Sequence, residues 1–164
     1  MMNIDKPRDE NKSEAMRKKS LGELGELIAI KTLVDLHFDK IRNVNDVHMN
    51  EPFVDIICQK ETRKYIVSVK ARNMYQLNGK INSRYNIGSN AYENAKKAEI
   101  KFQAVAYWMA IQFDIHHYSV FWGSLECLQG SKAIPIDKCE SGDIGIKLVD
   151  RKRHYFDFTY FKNT

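Results

Sequence analysis

Two short apolar runs, each with one ionisable residue near its centre, are the clearest elements in the hydrophobic pattern of the chain. Residues 52–58 contain Asp55, and residues 65–72 contain Lys70. Both runs are rich in β-branched residues and are separated by a polar, turn-like segment, which is typical of two strands in a hairpin. Because side chains alternate between faces along a strand, such a hairpin would set Asp55 opposite the face shared by Ser68 and Lys70.

The stretch upstream of these strands predicts a helix over residues 20–39, with an apolar stripe at helical spacing. Ser20 and Glu23 form a capping box at its start. Gly22 and Gly25 lie within one turn, and each glycine costs about 1 kcal/mol relative to alanine inside a helix. Two such glycines predict a close approach of the helix backbone to a neighbouring sheet or to a phosphate.

Three further strands and a second helix follow from the same pattern. Residues 41–47 are a weak strand candidate, because two asparagines and an aspartate interrupt the apolar residues. Residues 90–102 predict a helix with Asn90 as its cap and a narrow face of small apolar residues. Residues 103–113 are near-continuously apolar, as in a strand covered on both faces, although the length also permits a buried helix. Residues 118–122 predict the next strand.

The chain ends in two more strand-like runs, residues 144–149 and 154–161, which predict a C-terminal β-hairpin around the charged turn at 150–153. The order of elements is therefore α-β-β-β-α-β-β followed by this hairpin. It indicates an α/β fold with a mixed β-sheet flanked by helices. Residues 1–18 mix charges of both signs with few apolar residues and predict a flexible N-terminal arm, which leaves residues 19–164 as a single domain.

Composition and charge narrow the class of protein. The 164 residues are 43% hydrophobic and 29% charged, as in soluble globular proteins. The net charge of +5 and the isoelectric point of about 9.0 are compatible with a nucleic-acid partner. The three cysteines are odd in number, and the chain has neither a signal-peptide pattern nor an apolar run of ~20 residues. We therefore expect a cytoplasmic protein without membrane contact.

The polar segment at residues 72–90 is the candidate nucleic-acid-binding region. Loops of this length are uncommon in a compact domain and are often functional. This one interleaves basic residues with tyrosines, which suits phosphate contacts and stacking, although plain surfaces show the same mixture. Two lysines of the second predicted helix are further candidates. The default interpretation of these lysines is that they lie on a solvated helix face. The binding candidates are Arg72, Lys80, Arg84, Tyr75, Tyr85, Lys96 and Lys97.

The placement of Asp55 and Lys70 resembles the PD-(D/E)xK nuclease superfamily, which includes type II restriction endonucleases and Holliday-junction resolvases. The family pattern is an aspartate on one strand, then an acidic residue two positions before a lysine on the next. Residues 21–27, with two Gly-Glu pairs, look like the opening of the helix that precedes these strands in the resolvase-like branch. Ser68 stands at the second acidic position. The resemblance covers roughly residues 20–125 and implies a restriction-endonuclease-like core.

The resemblance implies a catalytic site made of Asp55, Lys70, Glu26 and Ser68. From the residues alone, Glu26 is either a solvated helix residue or a site residue, and the resemblance favours the second. Asp55 and Glu26 would bind Mg²⁺, or Mn²⁺ in its place, since Mg²⁺ is commonly held by one or two carboxylates and several waters. Such an ion lowers the pKa of a bound water. Lys70 would orient the attacking water and stabilise the developing negative charge.

The implied function is metal-dependent hydrolysis of phosphodiester bonds in nucleic acid. DNA is favoured over RNA, and the expected enzyme is an endonuclease of the restriction, repair or recombination type. Nucleases that cut both strands match the twofold symmetry of the duplex, so we expect a homodimer. The alternative is a catalytically inactive module on the same fold that binds nucleic acid or a protein partner. Ser68 keeps this alternative open, because a hydroxyl brings no charge to a metal site.

Overall fold

Helices cover both faces of a six-stranded sheet in the computed structural model of the protein, which describes residues 7–47, 50–114, 117–141 and 148–155. The helices are α1 (Pro7–Asp35), α2 (Ala91–Phe102) and α3 (Ile136–Ser141). The strands are β1 (Asp39–Asn43), β2 (Ile56–Lys60), β3 (Arg63–Asn73), β4 (Arg84–Asn86), β5 (Val105–Phe113), β6 (His117–Ser124), β7 (Ala133–Pro135) and β8 (Leu148–Tyr155). Short 3-10 helices lie at Val44–Val47 and Glu126–Leu128.

The sheet is mixed, in the order β1-β2-β3-β5-β6-β8. Strands β2 and β3 form the predicted antiparallel hairpin, with Ile56 opposite Val67. Strands β3 and β5 run parallel at the centre, and the remaining neighbours are antiparallel. Strands β4 and β7 form a separate two-stranded sheet. The predicted α/β class, with a mixed sheet flanked by helices, is confirmed.

Strands β3 and β5 are buried on both faces because their side chains alternate between two apolar clusters. Ile66 and Trp108 belong to the cluster that contains the small residues of α2, such as Ala95. Val67 and Met109, the next residues along, belong to the cluster that contains the buried residues of α1. This alternation explains the near-continuous apolar run of β5, which is a central strand and not a helix.

Gly25 sets how closely α1 lies on the sheet. A Cβ atom built on Gly25 would be 2.5 Å from the Cβ atom of Ala71 in β3, which is far inside van der Waals contact. A Cβ atom built on Gly22 would have no atom within 4 Å. The predicted close approach is therefore correct at Gly25, where the partner is the sheet, and wrong at Gly22.

Helix α1 begins at Pro7, thirteen residues before its predicted start. The capping box at Ser20 is therefore wrong, because Ser20 lies inside the helix. Residues 7–19 contain no glycine, and proline is tolerated in the first turn. Lys18 and Glu14 lie one helical turn apart and form an ion pair, with 3.2 Å between Nζ and Oε1, which adds to the stability of the helix. Even so, no helix among the described residues is long and apolar enough to cross a membrane.

Both predicted chain ends differ from the structure where it describes them. The boundary predicted at residue 18 falls inside α1, and residues 1–6 of the predicted arm lie outside the described residues. The predicted turn at residues 150–153 is wrong, because these residues are the middle of β8, which pairs with β6. Charged residues are common on edge strands, so a charge cluster does not mark a turn there. The rest of the predicted hairpin, residues 142–147 and 156–164, lies outside the described part of the chain.

The segment at 72–90 is more ordered than a long loop. Strand β3 extends to Asn73, Tyr75 bridges to Ile81, and β4 follows. The turn between them contains Gly79 with a φ of 80°, preceded by an asparagine. An Asn-Gly pair is a strong hairpin signal, so the interpretation of this segment as structureless missed turn chemistry that the sequence carries.

The contact at Gly25 predicts the effect of one added methyl group. Gly25→Ala should lower the free energy of unfolding by about 1–3 kcal/mol, because α1 and β3 must move apart to admit the methyl. Gly22→Ala is the matched control and should raise it by up to about 1 kcal/mol through helix propensity. Urea unfolding measures both values, and a Gly25→Ala protein as stable as Gly22→Ala would contradict this packing.

Candidate functional site

Asp55 precedes β2 and is fixed against β3 by two hydrogen bonds. Its backbone N–H donates to the Val67 carbonyl at 2.9 Å, and its Oδ2 accepts the Val69 N–H at 2.7 Å. In the second bond, the Asp55 side chain accepts an N–H of β3. The hydrogen-bond ladder between β2 and β3 therefore extends beyond the first residue of β2. The carboxylate is thereby held beside the stretch of β3 that carries Ser68 and Lys70, as the hairpin pattern predicted.

Glu26 joins this group from α1. Its two carboxylate oxygens accept hydrogen bonds from the side-chain amides of Asn43 and Asn45, each at 2.8 Å. The Asn45 side chain also interacts with the carboxylate of Asp55, and the charge of Glu26 acts on Asp55 as well. Asn43 and Asn45, which interrupt the apolar pattern of the strand, therefore hold Glu26 near Asp55. No signal in the single sequence assigned them this role.

The pKa of Asp55 is raised above its ordinary value of 3.8. Burial is the largest cause, because a charged carboxylate loses hydration inside the protein. The Val69 N–H and the charge of Lys70 act in the opposite direction, whereas the nearby carboxylate of Glu26 adds to the increase. Asp55 is thus a partly desolvated acid set between one positive and one negative neighbour, as is common at functional sites.

A cavity of about 300 Å³ opens beside Asp55. Three groups of residues from different parts of the chain form its wall. The segment before β2 contributes Glu51, Phe53 and Asp55, and β3 contributes Ser68 and Lys70. The start of α2 contributes residues 87–91 and Asn94.

Ser68 and Lys70 bring polar groups to this cavity. Ser68 is 2% exposed, and its hydroxyl makes no hydrogen bond to any described residue. Lys70 forms no ion pair or hydrogen bond within the described ranges, and its interaction with Asp55 is electrostatic at longer range. Both groups can therefore bind an incoming ligand without losing an internal partner.

The residues fit a small, oxygen-rich metal site rather than a closed protein cage. The described part of the chain has no group of three or more His, Cys, Asp or Glu side chains arranged to hold an ion. Asp55 and Glu26 supply two carboxylates, and the Asn45 side-chain amide donates a hydrogen bond to Glu26 and interacts with Asp55. Hard oxygen donors in this number suit a hard divalent cation such as Mg²⁺ or Mn²⁺ with several waters.

The predicted nucleic-acid-binding residues divide into exposed and buried ones. Arg72, Lys80, Arg84 and Lys96 are exposed, Tyr75 is 49% exposed, and Lys97 is exposed while paired with Glu93 at 3.0 Å. These remain predictions.

Tyr85 is different, because it is 1% exposed and belongs to the core cluster under α2. It offers no surface to a nucleic acid, so the prediction for Tyr85 is wrong. Its position in β4, which pairs with β7, explains the burial.

Two features of the cavity were missed from the sequence. Glu51 lines the wall and pairs with Lys101 near the far end of α2. Asn90 was predicted to cap α2, but its side chain makes no capping hydrogen bond. The position of Glu51, one residue before the apolar run that contains Asp55, was the available signal for the first feature.

Comparisons with known proteins support the fold. No family model matches the sequence, and no curated protein matches it. Among solved structures, the chain is similar to Archaeoglobus fulgidus Hjc, a Holliday junction resolvase from an archaeal hyperthermophile, with a TM-score of 0.54 and 14% sequence identity. The match covers 73% of this chain and 93% of that chain. It shows a shared fold, in agreement with the predicted restriction-endonuclease-like core.

The geometry around Asp55 predicts two opposite changes in its pKa. Glu26→Gln should lower the pKa of Asp55, because it removes a nearby negative charge, and Lys70→Gln should raise it, because it removes a positive one. Carboxyl ¹³C NMR titration of Asp55 measures both shifts. Lys64→Gln, at the distant end of β3, is the control and should leave this pKa unchanged. A pKa that does not respond to Glu26→Gln would place Glu26 outside the site.

Proposed function

We propose that this protein hydrolyses phosphodiester bonds in nucleic acid with the help of a divalent metal ion. The observation that carries the proposal is the convergence of Asp55, Ser68 and Lys70 on one cavity, with Glu26 held beside Asp55. Acidic and lysine side chains in this arrangement are the components of metal-assisted phosphoryl chemistry. The similarity in fold to a Holliday junction resolvase supports the same class of reaction.

Asp55 and Glu26 are the residues that would hold Mg²⁺ or Mn²⁺. When bound, the ion supplies charge neutralisation and a water of lowered pKa. Two close carboxylates repel each other in its absence, and burial already raises the pKa of Asp55. A divalent cation would relieve this repulsion, so ion binding and deprotonation of Asp55 should favour each other.

Lys70 would act on the reacting phosphate. Its ammonium group has no ion pair among the described residues, and it lines the same cavity as Asp55. It would orient the attacking water and stabilise the negative charge that develops on the phosphoryl oxygens. The Ser68 hydroxyl, on the same face of β3, would hold a water of the site.

DNA is the proposed substrate, bound by exposed basic residues near the cavity. Arg72 lies two residues beyond Lys70 on β3, and Arg84 lies on β4, three residues before Ile87 of the cavity wall. These side chains, with the exposed Lys80, would contact phosphates along the strand. A homodimer would place two such sites on a twofold substrate.

The second candidate function is an inactive nuclease fold that binds nucleic acid or a protein. Two observations favour it. Ser68 stands at the acidic position of the motif, and the described residues hold no third acid close enough to complete a metal cluster. Such a protein would keep a salt-sensitive affinity for nucleic acid, because phosphate contacts depend on lysine and arginine and not on the metal site.

A cleavage assay separates the two functions. Wild type is incubated with linear, branched and single-stranded DNA and with RNA, in Mg²⁺ or Mn²⁺. We expect cleavage of DNA that EDTA abolishes and that Lys70→Ala lowers at least about 100-fold, through lost electrostatic stabilisation. Lys64→Ala removes an exposed lysine from the same strand and should keep wild-type activity.

Each other outcome points to a different conclusion. Salt-sensitive binding without cleavage by wild type would identify the inactive module. Cleavage that survives Lys70→Ala would show that the active site lies elsewhere. Neither cleavage nor binding would leave a protein partner as the remaining candidate.

A further inference from the structure

We infer that the cavity contains a metal-independent phosphate site, formed by the N-terminal end of α2 together with Ser68 and Lys70. The inference rests on the proposed function, because it names the part of a nucleic-acid strand that the site would take. The ligand is a phosphate group of that strand, either a bridging diester or a terminal monoester.

The first turn of α2 offers backbone N–H groups to a ligand. The Ala91 N–H reaches the Gly88 carbonyl at 3.4 Å, and the Asn94 N–H donates to the Asn90 carbonyl at 2.9 Å. The N–H groups of Tyr92 and Glu93 have no acceptor among the described residues, since the Asn90 side chain does not cap the helix. Such donors and the helix dipole together favour an anion at this end of a 12-residue helix.

Ser68 provides an independent indication of a ligand. It comes from β3, on the opposite wall of the cavity, and it is 2% exposed without a hydrogen-bond partner in the described part of the chain. Its hydroxyl is open to the cavity, so a phosphate oxygen there would accept its hydrogen bond. Two residues further along, the ammonium group of Lys70, which has no ion pair among the described residues, would add the positive charge that a phosphate requires.

Glu51 is the side chain in the wall that opposes an anion, apart from Asp55. Its carboxylate is paired with Lys101 of α2, so much of its charge is already neutralised. Gly88, with a φ of 97° and no atom within 4 Å of a Cβ built on it, leaves the entrance beside the helix open. The cavity volume of about 300 Å³ admits a phosphate with part of its sugars.

Asn90→Asp tests the site and should not destabilise the fold. Aspartate is a favoured N-cap residue and should support α2, while its carboxylate would take the free N–H groups and repel a phosphate. The probes are d(T)4 and 5′-phosphorylated d(T)4, titrated in EDTA at low ionic strength, with ¹⁵N NMR of the Tyr92 and Glu93 amides. We expect both amide signals to shift, and Asn90→Asp to weaken binding at least about fivefold.

Two more variants sharpen the result. Ser68→Ala should weaken binding about tenfold, because it removes a hydrogen bond to a charged group. Thr62→Asp adds the same charge as Asn90→Asp in the exposed turn between β2 and β3, and should leave the affinity within about twofold, since distant exposed charges are screened.

Shifts with both probes would support a bridging phosphate, and shifts with the phosphorylated probe alone would support a terminal one.

The inference is overturned if the Tyr92 and Glu93 amides stay unshifted at saturation, or if Asn90→Asp binds as tightly as wild type. These readouts are independent of cleavage. Amide shifts in a protein that never cleaves would retain the phosphate site and reject the nuclease function. Cleavage without amide shifts would do the reverse.

Discussion

The hydrogen bond from the Val69 N–H to the carboxylate of Asp55 is the interaction on which the site depends. Strand β2 begins at Ile56, so without this bond the Val69 N–H of β3 would lack the partner that a longer β2 would supply. The side chain of Asp55 fills that place at 2.7 Å. Sheet formation thereby fixes an acid whose hydration is reduced, beside Lys70 and next to a cavity, before any ligand binds.

The position of α1 completes the arrangement. Gly25 lets the helix approach Ala71 of β3, and the next residue, Glu26, then meets the asparagines at the end of β1 and just after it. The position of Glu26 near Asp55 is unfavourable by itself, because two neighbouring carboxylates repel each other when both are ionised. Asn43 and Asn45 each donate a hydrogen bond to the carboxylate of Glu26, which offsets part of this repulsion.

The strand pattern allowed the relative positions of Asp55, Ser68 and Lys70 to be predicted. Alternation along the hairpin placed Asp55 opposite Ser68 and Lys70, because the side-chain period of a strand is fixed by its backbone. The second wall of the cavity could not be predicted, because it depends on where α2 begins relative to β3. The prediction for Tyr85 was wrong for the same reason. Its neighbours in sequence are polar, so the sequence does not show that β4 and β7 bury this position. These features are set by tertiary packing, for which a single sequence carries no local signal.

Binding of Mn²⁺ tests the central claim most directly, because it asks whether Asp55 and Glu26 act as one site. Electron paramagnetic resonance of free Mn²⁺ gives the affinity of wild type, Asp55→Asn and Glu26→Gln. We predict one ion per chain, an affinity that increases with pH as Asp55 loses its proton, and a loss of at least about tenfold in each variant. No binding by wild type, or equal affinity in Asp55→Asn, would contradict the proposed metal site.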